Sequence, residues 1–196
     1  MGIIRRLPFY ETSRELEIGG KTFFLLRHQI MLCVSVAHPG IEELPDKAKR
    51  IPAILDTGCN GEFVLQSQHL RDAQVSPEHL ELLDPHTSKR KVLSNRKSGY
   101  LNGCPVVTCP AAVWLHRNIP GKHVWDQAHK AMRINLNEDI RITTGPRTVR
   151  VDDEEEQKEE YWPRLPLLGM AALANANVQV RINFRHKYVS ISCPCC

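Results

Sequence analysis

The sequence predicts a mostly β fold, a small closed barrel-like sheet carrying one or two short helices. Two observations lead there. Thirteen prolines and eleven glycines among 196 residues suit short strands and many turns better than long helices. Residues 51 to 65, Ile51-Pro52-Ala53-Ile54-Leu55-Asp56-Thr57-Gly58-Cys59-Asn60-Gly61-Glu62-Phe63-Val64-Leu65, run from an apolar stretch through a small polar turn into a second apolar stretch, which reads as strand, tight loop, strand. The length suffices for one ordinary domain with a substantial core, so residues 1–196 are read as a single domain.

Taken in order, residues 1–20 are mixed and end in a turn at Ile18-Gly19-Gly20-Lys21. Phe23 to Val36 reads as one or two strands, and His38-Pro39-Gly40 ends them. The charged stretch 41–50 reads as a loop or short helical turn, and the strand ending in Asp56 follows. Gln66 to Val75 reads as a short surface helix. Pro77 to Leu83 has helical spacing too, although Leu80, Leu82 and Leu83 could begin a strand. Asp84-Pro85-His86-Thr87-Ser88 is a turn signal. Lys89–Ser94, Gly99–Leu101 and Val106–Leu115 then alternate with turns and read as strands. Trp125 to Met132 is read as a helix, and Ile140–Thr143 and Arg147–Val151 as strands around Gly145-Pro146. The run 152–160 holds seven acids and one base and is expected to be a mobile, solvated loop. No internal repeat is evident, apart from Ile142-Thr143-Thr144-Gly145, which looks like the Asp56-Thr57-Gly58 loop with Thr for Asp; a strand ending in a turn is the preferred reading.

An apolar strand that delivers a carboxylate to its end must hydrogen-bond or share that charge, or shift its pKa. Apolar-apolar-Asp56-Thr57-Gly58 followed by a small residue resembles the active-site loop of retropepsin-like aspartic proteases of the cellular and bacterial type. Leu165-Pro166-Leu167-Leu168-Gly169-Met170-Ala171-Ala172-Leu173 resembles the apolar-apolar-Gly strand and short helix that follow in that family. Val178 to Phe184 and Tyr188 to Ile191 look like its closing hairpin. The resemblance covers roughly residues 22–115 and 163–192; residues 117–162 are an insertion relative to it, with the acidic loop 152–160 inside.

The resemblance implies an aspartic endopeptidase acting on an extended peptide or protein substrate. Such chemistry needs two carboxylates sharing one proton across a water, so that one acts as base and the other as acid. This chain offers one such loop, and the family's second carboxylate would come from Asp56 of a second copy across a two-fold axis, making a homodimer. Thr57 would cross-bond between subunits, and Gly58 completes the catalytic triplet. Cys59 stands where the family has Ala or Ser. Asn60 stands where viral members often have an Asp paired with an Arg just after the second element's Gly; that position is Met170 here, so both ends of the pair are absent together. Cys59, Asn60 and Gly61 are expected to line the substrate, with a flap whose tip lies at Asp84, Pro85, His86, Thr87 and Ser88; Asn95 to Gly99 is the competing tip. The rival expectation is a catalytically inert dimerisation or peptide-binding module on the same fold.

Other chemistries are set aside. Net charge is +4, and about +10 without residues 152–160, from 25 bases and 15 acids. The dense basic cluster Lys89, Arg90, Lys91, Arg96 and Lys97 has no interleaved aromatic residue, so no nucleic-acid partner is expected. Phe23 to Ala37, the most apolar stretch, contains Arg27, His28 and Gln29 and is too short to span a bilayer, so no membrane partner is expected. Seven cysteines, an odd number, together with no recognisable export signal, lead to an expected cytoplasmic setting with free thiols. Cys104-x4-Cys109 with Cys193, Cys195 and Cys196 is the alternative zinc reading, but its spacing is not that of a standard knuckle, and no metal or other cofactor is expected. Histidine pairs of the metalloprotease kind and a serine nucleophile elbow are missing from the sequence.

Overall fold

A computed structural model describes residues 2–18, 20–59, 61–72, 98–123, 131–150 and 157–193. Strands dominate, as expected. The first is β1 (Gly2–Pro8), followed by the hairpin of β2 (Arg14–Ile18) and β3 (Lys21–Leu25). Its turn takes Gly20 at φ +76°, which glycine adopts without steric cost. The apolar stretch from Phe23 resolves into two strands, β3 and β4 (Ile30–Ala37), split by a turn with His28 at φ +61°.

Both faces of β4 are buried, so it reads as a continuous apolar run rather than an alternating one. Leu32, Val34 and Val36 enter the main core with Leu55, Phe63, Leu65, Val113 and Leu115. Met31 and Cys33 point the other way, into a smaller cluster with Leu25 and Ile54 that the β2–β3 hairpin covers through Leu16, Ile18 and Phe23.

The central sheet adds β5 (Ile51–Asp56), β6 (Phe63–Gln66), β7 (Ser98–Leu101), β8 (Cys104–Cys109), β9 (Ala112–Leu115), β10 (Met132–Ile134), β11 (Ile140–Thr143) and β14 (Leu167–Gly169). Its order is β10-β9-β4-β5-β14-β6-β11-β8-β7. A closed barrel would need its first and last strands to pair, and β10 and β7 do not. The expectation of a closed barrel is therefore corrected: the described sheet is open, and its two edges are short strands, a common way of blunting an edge. A second sheet, β1-β16-β15, is built from the N-terminal strand and the closing hairpin, β15 (Gln179–Asn183) and β16 (Tyr188–Ser192).

Several local expectations change. The single strand expected over 106–115 breaks at Pro110-Ala111 into β8 and β9, because proline cannot donate to a ladder. Met132, expected to end a helix, begins β10 and pairs with Leu115; residues 125–130 lie outside the described residues. The helix after β6, α1 (Ser67–Asp72), is described over six residues. Within the acidic run, Gln157–Glu160 is not a loop but a strand, β13, paired with β12 (Arg147–Arg150) and fastened by Arg147 to Glu160 at 2.7 Å. Residues 152–156 lie outside the described residues. From the 117–162 segment, β11 lies inside the central sheet, between β6 and β8.

Candidate functional site

Four strands meet at the centre of the sheet in the order β5-β14-β6-β11. The outer two run parallel to their inner neighbours, β5 to β14 and β11 to β6, and the inner two are antiparallel. The arrangement has an approximate two-fold character, and Asp56 stands at the carboxyl end of one outer strand.

The register puts Gly169 opposite Asp56, Leu168 opposite Leu55 and Leu167 opposite Ile54. Gly169 is required there by space. A Cβ on it would lie 2.2 Å from the Gly61 carbonyl oxygen and 3.2 Å from that of Cys59, so the loop after Asp56 passes directly over it. The Gly169 N–H donates to the Glu62 carbonyl at 2.9 Å. Helix α2 (Met170–Asn175) starts immediately after, in the predicted strand-then-helix order.

Asp56 is half-buried, and Thr57 and Gly58 are exposed. Asp56 Oδ1 accepts a hydrogen bond from the Gly58 N–H at 2.8 Å, so the turn itself supplies one donor to the carboxylate. Cys59 is half-buried; burial, more than any nearby charge, pushes its thiol up, so it stays protonated at neutral pH. Gly61 is buried beside Val64 and the Arg141 side chain. Asn60 lies outside the described residues, as do Asp84, Pro85, His86, Thr87 and Ser88, where the flap tip was expected. Of the competing tip, Ser98 and Gly99 are strand residues of β7, and 95–97 lie outside the described residues. The hairpin described here turns instead at Asn102-Gly103, both with positive φ (49° and 77°), the two-residue turn that suits strand twist.

Two polar features escaped the sequence reading. Glu62 is 5% exposed. Its Oε2 accepts from the backbone N–H groups of Asn137 and Glu138 at 2.8 and 3.2 Å, and Oε1 accepts from the Asn175 amide. One carboxylate thus ties the loop after Asp56 to the turn before β11 and to the end of α2. An acid wedged between Gly61 and Phe63 was its only sequence signal. The second feature is Ser35 with His116, both fully buried, at 2.8 Å. They look like a nucleophile and its base, but the polarity is reversed. Ser35 donates its hydroxyl proton to the Lys49 carbonyl at 2.7 Å, so His116 Nε2 must donate to Ser35 and cannot take its proton. His116 Nδ1 has no hydrogen-bond partner among the described residues, and burial holds the ring down at about 4.

Cys104 and Cys109, at the two ends of β8, are both buried; Cys195 and Cys196 lie outside the described residues. Among the described residues no three His, Cys, Asp or Glu side chains converge as metal ligands would, and no helix is long and apolar enough to cross a membrane. No family model, no curated protein and no solved structure matches this chain.

Proposed function

We propose that the chain is a retropepsin-like aspartic endopeptidase that works as a homodimer. The observation that carries this reading is the tight apposition of the Asp56 loop and Gly169. A carboxylate at an exposed strand end is held by its own turn, over a neighbouring strand that must be glycine to let the loop pass. That rigidity is what a general base needs, since catalytic carboxylates act through fixed geometry.

In this reading Asp56 of each copy faces the two-fold axis, and one water lies between them. The pair holds a single proton. One carboxylate takes a proton from the water as its oxygen attacks the peptide carbonyl carbon, and the other protonates the carbonyl oxygen. Collapse of the tetrahedral intermediate breaks the C–N bond as the amine gains a proton. The substrate lies extended, with backbone hydrogen bonds giving affinity and side-chain pockets giving specificity. The free cysteines Cys33, Cys59, Cys104, Cys109 and Cys193 are in keeping with a reducing, cytoplasmic setting. One carboxylate per chain also favours a second reading, an inert dimerisation or peptide-binding module on the same fold, should two copies fail to bring their Asp56 groups together.

The test is cleavage of a peptide library by the wild type and by Asp56→Asn. The wild type is expected to cleave at acidic to mildly acidic pH, to be inhibited by a pepstatin-like statine peptide, and to lose specific activity on dilution as the dimer dissociates. Asp56→Asn is expected to be inactive and to poison the wild type on mixing. Equal activity in both proteins would overturn the protease reading. A stable, inactive wild-type dimer that still binds peptide would establish the second.

A further inference from the structure

The Asp56 carboxylate is only as fixed as the loop it begins. Among the described residues its hydrogen bond comes from the Gly58 N–H, a member of that same loop, and both Thr57 and Gly58 are exposed. The loop is gripped further along, at Gly61 and Glu62. The Glu62 carbonyl accepts from the Gly169 N–H at 2.9 Å. The Arg141 side chain lies against Gly61, with its Cδ and Cζ 3.4 Å from where a Cβ would stand, and pairs with Glu138 at 3.0 Å.

The Glu62 side chain adds the longest reach. It is 5% exposed and gathers three N–H donors: the backbone of Asn137 at 2.8 Å, the backbone of Glu138 at 3.2 Å and the Asn175 amide. The first two lie in the turn between β10 and β11, within segment 117–162; the third is the last residue of α2. Donors converge on this side chain from two elements, and a carboxylate suits them because it accepts at both oxygens and carries no donor of its own. Glu138 grips the loop twice, by its N–H to Glu62 and by its side chain through Arg141.

We propose that Glu62 is a positioning residue for Asp56: through it, the 137–138 turn and the end of α2 hold the loop that carries the carboxylate. Segment 117–162 then takes part in placing Asp56 as well as in building the sheet. The kinetic consequence rests on the protease reading; the hold on the loop does not. A carboxylate that served the fold alone would lower stability when its contacts were broken, and would leave the Asp56 loop closed until the whole chain unfolded.

The test has one readout that needs no cleavage. Cys59 follows Gly58 and is half-buried, so its alkylation by N-ethylmaleimide in native buffer, located by peptide mass spectrometry, reports how firmly that stretch is held. Cys193, also half-buried, is the reference within the same chain. The informative variants of the full chain are Asn175→Asp and the swap Glu62→Gln/Asn175→Asp. Asn175 is exposed, so both are expected to fold. The first sets two carboxylates against each other and pushes Glu62 off its donors. The swap restores the bond with reversed polarity: the glutamine NH2 donates to the new carboxylate, while its oxygen still accepts from Asn137 and Glu138.

Asn175→Asp is expected to speed labelling at Cys59 about tenfold or more, with Cys193 unchanged, and to lower kcat for peptide cleavage by a similar factor at nearly constant KM. The swap is expected to return both toward the wild type. Glu62→Ala is expected to exceed Asn175→Asp in both readouts; the swap carries the test if the alanine variant does not fold. Unchanged Cys59 labelling in Asn175→Asp, an equal rise at Cys193, or no recovery in the swap would overturn the positioning role. Faster labelling with an unchanged kcat would overturn it too. A wild type that cleaves no peptide, with Cys59 responding as expected, would sink the protease reading and uphold the hold of Glu62 on the loop.

Discussion

The ends of β5 and β11 are alike in their strand pairing and in their Thr-Gly turns, and differ in the side chain that each strand delivers to its end. Both strands run parallel to an inner neighbour, and both end in a Thr-Gly turn, Asp56-Thr57-Gly58 and Thr143-Thr144-Gly145. At the first the side chain is a half-buried carboxylate facing an N–H donor, that of Gly58. At the second it is a hydroxyl, 2% exposed, whose proton goes to the Trp162 carbonyl at 2.7 Å, with the Leu65 carbonyl at 3.5 Å. A hydroxyl donates and can be closed in among carbonyls; a carboxylate only accepts and would be repelled by them. The difference shows how two similar strand ends can be finished differently, one closed by a buried hydroxyl and the other left open at a carboxylate. The end that stays open is the one whose surroundings offer donors.

The comparison breaks most severely if the carboxylate is moved to the closed end. Thr143→Asp puts a charge against two carbonyl oxygens with no donor, and is expected to cost about 3–5 kcal/mol or prevent folding. Asp56→Thr, at the open end, is expected to change stability by less than about 1 kcal/mol. Urea unfolding of both variants compares the two ends, and equal losses would refute the distinction.

A glycine packed against each end, Gly169 on the strand beside Asp56 and Gly145 in the turn after Thr143, gives the next largest contrast. Gly169→Ala drives a methyl into the Gly61 carbonyl, a backbone atom that cannot step aside, and is expected to cost about 3 kcal/mol. At Gly145 the nearest atom to an added Cβ is Pro105 Cγ at 3.1 Å, and ring pucker can give way, so Gly145→Ala is expected to cost about 1 kcal/mol or less. Thermal midpoints of the two variants measure this.

His116 extends the comparison to a buried polar group that can titrate. Its folded pKa, about 4, lies below the ordinary value of 6.5, because burial penalises the charged ring, with the nearby Arg50 charge adding to the effect. The unfolded chain therefore takes up the proton first. Its contribution is complete above pH 6.5 and is lost as pH falls toward 4, by about 3 kcal/mol at most. Unfolding free energies of the wild type and His116→Asn at pH 7 and pH 4 should differ in their pH dependence by roughly that amount; parallel curves would show that His116 does not titrate this way. A small effect is also expected from Thr143→Val, which keeps the shape and removes the hydroxyl. Leaving the Trp162 carbonyl without its donor should cost about 1 kcal/mol, read from the urea midpoint.

The sequence by itself determined what neighbouring residues decide. The strand into Asp56, the Gly-Gly and Pro-Gly breaks around β3 and β4, the apolar strand and helix at 167–175 and the closing hairpin are each written in a stretch of a few residues, through alternation, β-branching and turn chemistry. Asp56 was legible for the same reason: a carboxylate stands out at the end of an apolar run. Only the tertiary structure decided that the central sheet stays open, that β14 slots between β5 and β6, and that Gly169 stands opposite Asp56. It alone also decided the fate of the buried polar groups. Glu62 meets partners 75, 76 and 113 residues away, and Ser35 meets His116 across 81. No local pattern specifies such pairs. They exist because a buried carboxylate, hydroxyl or imidazole must find hydrogen bonds wherever packing brings a complementary group, and packing is a property of the whole chain.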